Sequence, residues 1–274
     1  MSTRDRYPAG VPCWVETLQP DVPAAIDFYG SLFGWEFADP EPMPSHPAGL
    51  RHIARLAGHD VAGIGSAIDG SGPSPAWLTY IRVERVAEAV QLAAEAGGTI
   101  DIGPLDALPA GRWAILTDPA GARFGIWEAR SREGAQLINE PRTWALSSLR
   151  TTDTERSKAF YSSMFGWRPE TLDVQGGHVT LWRLPGYVGG QPDQGAPRDT
   201  VGIMLTLGSP SSATADHPHW SVDFYCDDAD ATADDVVRLG GMVMVPVFDN
   251  PGFRRAVLAD PQGATFTVTQ QTGG

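Results

Sequence analysis

Apolar residues recur at helical spacing in four stretches of the chain. The first stretch begins after Asp21, a residue type that caps helices, and ends at Gly34, a residue type that stops them. Between them Ile26, Tyr29 and Phe33 fall on one face of a helix. The same pattern predicts three further helices, at 85–96, 153–166 and 229–239.

Each predicted helix follows a segment of alternating apolar and polar residues, which is typical of a β-strand. These four strands are predicted at 13–17, 77–83, 145–149 and 220–226. Short β-rich segments come after each helix, for example at 51–56, 62–67, 114–117 and 123–128. The chain therefore uses one strand, one helix and three strands as a unit, written βαβββ, four times.

Two short motifs occur twice in the chain. FYGSLFGW at 28–35 returns as FYSSMFGW at 160–167, with six of eight positions identical. DPAGARF at 118–124 returns as DPQGATF at 260–266, with five of seven identical. This self-similarity indicates an internal duplication. It predicts two tandem domains, at 1–132 and 141–274.

The spacing of the copies locates an insertion in the second one. The copies lie 132 residues apart at the first motif and 142 apart at the second. The extra residues are expected in 184–212, where Gly, Pro, Asp, Gln and Ser dominate and no strand or helix period survives. This segment is predicted to be a long surface loop. Its Gly-rich part, 186–195, could cover a cleft or contact a partner.

Composition narrows the classes of partner. The chain has 274 residues and a formal net charge of −13, so it would repel phosphate backbones and anionic lipid surfaces. We expect no nucleic-acid or membrane partner. No stretch approaches the roughly 18 apolar residues that cross a bilayer, and the first residues lack the apolar run of a signal peptide. The two cysteines, Cys13 and Cys226, are too few for a disulfide framework. A cytoplasmic monomer or homodimer is expected.

The four βαβββ units resemble the vicinal-oxygen-chelate superfamily, which includes glyoxalase I, bleomycin-resistance proteins, fosfomycin-resistance enzymes and extradiol dioxygenases. The resemblance rests on PCWVE at 12–16 leading to AIDFY at 25–29 and FGW at 33–35, and on GGTI at 97–100 followed by DPAG at 118–121. It covers roughly residues 11–270. It implies an α+β fold of two tandem domains, each with two units curled into a cup-shaped, eight-stranded mixed sheet with helices outside.

The resemblance also indicates where a metal would be bound. Relatives that use a metal draw ligands from the first and last strand of each unit, and the corresponding positions here are Trp14, Leu78 and Gly125, then Leu146, Ser221 and Thr267. Divalent ions prefer His, Cys and carboxylate ligands, and this set offers only a weak Ser. We therefore expect no metal and no other cofactor. A displaced site remains open, because His217 and His219 would share one face of a strand.

Strand alternation then predicts what lines the two cups. The candidate acid–base residues are Glu16 in the first cup and His219 and Asp223 in the second. The other candidates would contact the ligand: Trp14, Leu78, Tyr80, Arg82 and Trp127 in the first cup, and Ser148, Ser221, Tyr225 and Thr269 in the second. The first cup is expected to be aromatic and the second more polar.

Three functions fit these residues. The first is a sequestering protein that resembles bleomycin-resistance proteins, hence a role in antibiotic resistance, and holds a hydrophobic or aromatic natural product or metabolite without metal. The second is a metal-independent isomerase, lyase or oxygenase of secondary metabolism. The third is a metal-dependent glyoxalase- or dioxygenase-like enzyme with displaced ligands. A purely architectural role, with both cups vestigial, is a further alternative.

Overall fold

A computed structural model describes residues 3–43, 49–68, 75–174, 177–189, 197–207 and 217–272. The first domain contains two βαβββ units. The first unit consists of β1 (Pro12–Gln19), α1 (Val22–Phe33), the short β2 (Glu36–Phe37) and β3 (Glu41–Pro42), β4 (Leu50–Leu56) and β5 (His59–Ser66). The second consists of β6 (Ala76–Arg82), α2 (Val86–Glu95), β7 (Thr99–Ala107), β8 (Gly111–Thr117) and β9 (Arg123–Ala129).

The second domain repeats this order. Its first unit consists of β10 (Trp144–Thr151), α3 (Thr154–Phe165), β11 (Arg168–Val174), β12 (Gly177–Arg183) and β13 (Thr200–Thr206). Its second consists of β14 (His219–Tyr225), α4 (Ala229–Arg238), β15 (Met242–Asn250), β16 (Phe253–Ala259) and β17 (Thr265–Gln271). None of the helices in the described ranges is long and apolar enough to cross a membrane.

Each domain forms one mixed sheet. The strand order is β2, β4, β5, β1, β6, β9, β8, β7 in the first, with β3 beside β4, and β11, β12, β13, β10, β14, β17, β16, β15 in the second. In both sheets the first strands of the two units pair antiparallel at the centre, and each also pairs in parallel with the last strand of its own unit. This arrangement confirms the predicted α+β fold of two tandem domains.

The predicted helix ends are confirmed. Asp21 accepts a hydrogen bond from the backbone N–H of Ala24 at 3.0 Å, and Asp153 accepts the equivalent bond from Arg156 at 3.0 Å. Both helices then end at a glycine in the left-handed region, with φ of 66° and 67°. Glycine adopts this conformation without the steric cost that other residues incur.

The prediction of one long loop at 184–212 was wrong in its central part. Strand β13 lies inside this range and pairs in parallel with β10. Its sequence, TVGIMLT, is β-prone, but Pro, Gly and Asp on both sides hid it. Residues 190–196, which include most of the predicted Gly-rich stretch, and residues 208–212 lie outside the described residues.

The two domains share their aromatic cores. The ring of Phe33 on α1 lies 5.1 Å from Phe224 of β14, and Tyr29 lies 5.8 Å from Phe266 of β17. The Tyr29 hydroxyl donates to Asp260 Oδ2 at 2.9 Å. The first helix of the chain therefore packs on the second domain.

The second copy makes the reciprocal contact. Tyr161 on α3 lies 5.5 Å from Phe124 of β9, and its hydroxyl interacts with the carboxyl group of Asp118. The indole of Trp35 donates to the carbonyl of Arg142 at 2.9 Å, and that of Trp167 donates to Gly10 at 2.7 Å. In these two bonds the donors lie 132 residues apart and so do the acceptors, which is the spacing of the two copies. The repeated motifs thus hold the two domains together crosswise.

We predict that Tyr29→Phe lowers the free energy of unfolding by about 1–3 kcal/mol, because a buried carboxylate loses a donor. Urea unfolding monitored by circular dichroism measures this change. The control is Tyr187→Phe, which removes a hydroxyl that accepts a partly exposed hydrogen bond from Arg4 at 2.6 Å and leaves no buried carboxylate without a donor, so it should cost less, about 1 kcal/mol at most. Equal stabilities of the two variants would contradict the crosswise bond.

Candidate functional site

The first cup is lined by residues from four strands and from the segment that joins the domains. Its lining residues are Trp14, Glu16, Arg51, Ile53, Tyr80, Trp127, Arg132 and Gly134. Four of the site residues predicted from strand alternation therefore lie together, namely the two tryptophans, Glu16 and Tyr80. Strand alternation missed Arg51, which lies on β4, and Arg132.

Strand register explains why the aromatic residues meet. Trp14 lies opposite Tyr80, and Tyr80 lies opposite Gly125. Residues directly opposite each other share a face of the sheet. A Cβ at Gly125 would lie 2.2 Å from the Tyr80 ring. The absence of a side chain at this position therefore makes room for the tyrosine.

A buried ion pair occupies the floor of the first cup. Arg51 Nε lies 2.5 Å from Glu16 Oε1, and its Nη2 lies 3.0 Å from Oε2. The guanidinium also lies over the ring of Trp113, 5.5 Å from its centroid. Burial lowers the pKa of Arg51, but the Glu16 carboxylate, together with Tyr80 and Glu41, more than offsets this and the net pKa is raised. Glu16 is thus committed to a salt bridge.

The mouth of the first cup is closed by Arg132. Its guanidinium donates to the Glu41 carboxylate at 2.6 and 3.0 Å and lies 3.5 Å from Asp60, and its carbonyl accepts the Trp127 indole N–H at 2.9 Å. The free volume left in the cup is about 10 Å³, close to the least that admits one water molecule. The first cup is therefore filled by its own side chains.

The second cup has the same framework with different side chains. Leu146, Asp223 and Thr267 lie side by side across its three central strands, and Ser148 lies opposite Ser221. Further pairs on the same face are Arg150 with His219, Tyr225 with Thr269, and Thr269 with Arg255. All the second-cup residues predicted from sequence therefore lie on one face.

Comparing equivalent positions shows how far the cups have diverged. Tyr80 of the first cup corresponds to Asp223 of the second. Tyr80 pairs with Trp14 and Gly125, and Asp223 pairs with the equivalent residues Leu146 and Thr267. By the repeat spacing the remaining exchanges are Trp14 for Leu146, Glu16 for Ser148, Leu18 for Arg150, Trp113 for Arg255 and Trp127 for Thr269. An aromatic lining has become a polar and charged one.

Charge in the second cup is organised around Asp223. Arg255 Nη2 contacts Asp223 Oδ2, and Arg255 Nε donates to Thr269 Oγ1 at 3.2 Å. Burial lowers the pKa of His219, partly offset by a hydrogen bond with the His217 carbonyl, and the charge of Arg150 lowers it further. His219 is therefore neutral at neutral pH.

The remaining two candidates of the first cup do not line its cavity. Leu78 lies opposite Glu16 and is buried. Arg82 donates to the carbonyl of Val83 and lies 4.0 Å from Glu133. Their contact with a ligand stays a prediction.

The positions expected for metal ligands do not fit a divalent ion. Tyr80 and Asp223, two residues beyond Leu78 and Ser221, are level with the other expected positions. The rows are thus Trp14, Tyr80 and Gly125 in one cup, and Leu146, Asp223 and Thr267 in the other. One carboxylate paired with an arginine is a poor ligand set. Within the described residues no three His, Cys, Asp or Glu side chains cluster as metal ligands, at His217 and His219 or elsewhere.

Comparison with known proteins agrees with this architecture. The model of the Glyoxalase/Bleomycin resistance protein/Dioxygenase superfamily matches residues 14–126, and that of a Glyoxalase-like domain matches 147–269. "Putative glyoxylase CFP32" of Mycobacterium bovis is 36% identical over 273 residues, 98% of this chain and 97% of that protein. "Anthracycline biosynthesis protein DnrV" of Streptomyces peucetius is 30% identical over 279 residues, 98% of this chain and 96% of that protein. The chain belongs to the glyoxalase/bleomycin resistance/dioxygenase superfamily.

Solved structures of this superfamily share the fold. The Mn(II)-bound glyoxalase from Novosphingobium aromaticivorans superposes with a TM-score of 0.61 at 14% identity, over 96% of this chain and 82% of that one. A catechol 2,3-dioxygenase gives a TM-score of 0.58 at 14% identity, over 97% and 94%. The family and fold that the sequence motifs implied are confirmed.

We predict that Glu16→Gln destabilises the protein by about 3–5 kcal/mol, because it leaves the Arg51 guanidinium buried without its anion. Guanidinium chloride is unsuitable for a charge variant, so urea unfolding is the measurement. The double variant Glu16→Gln/Arg51→Met should be more stable than the single one, since it removes the unpaired charge. A single variant as stable as the parent would show that the Glu16–Arg51 ion pair does not stabilise the first cup.

Proposed function

We propose that this protein binds a hydrophobic or aromatic small molecule in its second cup and holds it without a metal. The contrast between the two cups carries the proposal. The Glu16–Arg51 ion pair and the aromatic rings of the first cup are buried, whereas Leu146, Ser221 and Tyr225 in the second cup remain partly exposed. Exposed side chains on a concave, partly apolar face are typical of a ligand site.

The second cup offers apolar walls as well as polar groups. Ile203 lies opposite Ser148, Val257 opposite Thr267, and Phe248 opposite Arg255. Together with Leu146 these side chains can contact the faces of a flat ligand, while the hydroxyl groups on the central strands orient it. The site therefore suits a molecule with a broad apolar surface and a few polar atoms.

The relatives support a ligand from secondary metabolism. DnrV and its counterpart DauV from Streptomyces sp., 31% identical over 97% of this chain and 94% of that protein, are named for anthracycline biosynthesis. We infer that the present chain carries a metabolite of that kind as a sequestering protein. The first cup then has a structural role, since its ion pair and closed mouth leave no room for such a ligand.

Calorimetric titration with a panel of aromatic metabolites tests the site. We expect Ser221→Phe, which fills the second cup, to weaken binding of the best ligand at least about tenfold, or about 1.4 kcal/mol. Trp14→Leu, in the first cup, should leave the affinity within about twofold, less than about 0.5 kcal/mol. The reverse pattern would place the ligand in the first cup and contradict the proposal.

A metal-independent enzyme is the second candidate, and the neutral, half-buried imidazole of His219 favours it. A neutral imidazole in a ligand cup can accept a proton. If the protein is catalytic, incubation of the best ligand with chelator-treated protein should yield a new product by mass spectrometry. The product should disappear with His219→Gln and persist with Arg254→Gln, on the helix side of β16. Intact ligand at stoichiometric occupancy would instead identify a binder.

A further inference from the structure

The second cup places two arginines on one concave face of a protein whose net charge is −13. Arg150 on β10 is 6% exposed, and the side chain of Arg255 on β16 is 14% exposed. Each interacts electrostatically with Asp223, which lies between them on the same face. Two guanidinium groups and one carboxylate thus share this face of the sheet, with the neutral His219 opposite Arg150.

Asp223 does not use its full capacity as an acceptor. Its Oδ2 contacts Arg255, but its Oδ1 is buried and has no hydrogen-bond partner among the described residues. A buried polar atom without a partner costs about 1–3 kcal/mol. A ligand hydroxyl or N–H group would remove that cost.

Ser148 is a second buried polar group without a partner. Its side chain is fully buried, and its hydroxyl makes no hydrogen bond with the described part of the chain. It lies opposite Ser221 and two residues before Arg150, so its hydroxyl faces the same cup as both arginines. Buried polar groups without a partner are few in folded proteins, and this hydroxyl can donate to a ligand atom in the cup.

We propose that the second cup recognises an anionic oxygen of its ligand, a carboxylate or a phenolate, with Arg150, Arg255 and the Ser148 hydroxyl. This inference rests on the proposed function and names the class of ligand. Charge-assisted hydrogen bonds from guanidinium groups to oxyanions are stronger than bonds between neutral groups. The floor of the first cup has no such excess of positive charge, because it sets one buried arginine, Arg51, against one buried carboxylate, Glu16.

Matched probes separate the charge from the ring. We would titrate the protein with benzoate and 2-naphthoate, and with their neutral amides, benzamide and 2-naphthamide. The carboxylate should bind at least about tenfold more tightly than the amide of the same ring, or about 1.4 kcal/mol. A 4-nitrophenol titration above and below its ionisation is the phenolate arm, and tighter binding of carboxylate than phenolate, or the reverse, identifies the oxyanion preferred.

Three variants should change the affinity for the carboxylate probes in different ways. Arg255→Gln should abolish the preference for carboxylate, whereas Asp223→Asn should strengthen carboxylate binding severalfold, because it removes the competing anion. Asp223→Asn should not strengthen amide binding, because the amide carries no charge for Asp223 to repel, and Arg255→Gln should weaken it far less than carboxylate binding. Arg254→Gln is the control: Arg254 precedes Arg255 on the same strand but faces the helix side, where it pairs with Asp230 and Asp249. It should change neither affinity.

The outcomes separate the two proposals. Equal binding of acid and amide, or parallel losses of both with Arg255→Gln and Asp223→Asn, would overturn the anion site and leave the binding function standing. Failure of all probes to bind the parent protein, together with failure of the metabolite panel, would contradict the binding function itself.

Discussion

The hydrogen bond from Tyr29 to Asp260 is the contact on which the rest of the structure depends. It joins the first helix to the last turn of the second sheet, and the Tyr161–Asp118 interaction joins the third helix to the first sheet. Burial, and then the facing carboxylate, raise the pKa of both tyrosines. Both therefore stay protonated and can act as donors. Because each helix completes the core of the other domain, the two copies form one folded unit.

This constraint explains which residues the duplication kept. The repeated Phe-Tyr and Asp-Pro motifs supply the helix and the turn that meet across the interface, so a change in one copy would strain the other. The indole N–H groups of Trp35 and Trp167 likewise donate to the backbone just before the first strand of the other copy. The concave faces are not constrained by contacts of this kind. There Glu16 and Trp113 of one cup could be replaced by Ser148 and Arg255 in the other without disturbing the core.

The sequence predicted the helix caps and the four units, which follow from neighbours close in the chain. Placing Trp14, Glu16, Tyr80 and Trp127 on one face also required the ligand positions implied by the family resemblance, because these residues lie on three different strands. The sequence could not predict Arg51 or Arg255, because their partners are set by the register of strands far apart in sequence. Nor could it predict the crosswise bonds, which join residues separated by up to 231 positions. Strand β13 was missed because turn-forming residues flank it, and β-propensity is a weak guide in such surroundings.

The position of Asp223 between two arginines bears on selectivity. Two unopposed guanidinium groups in a partly exposed cup would attract small anions of every kind, including free phosphate. A carboxylate beside them weakens that attraction for all anions equally, so charge alone no longer suffices for tight binding. A ligand must then also gain energy from the apolar walls formed by side chains such as Ile203 and Phe248. The cup therefore discriminates against small anions, because the competing carboxylate weakens the binding of ligands that carry charge but little apolar surface.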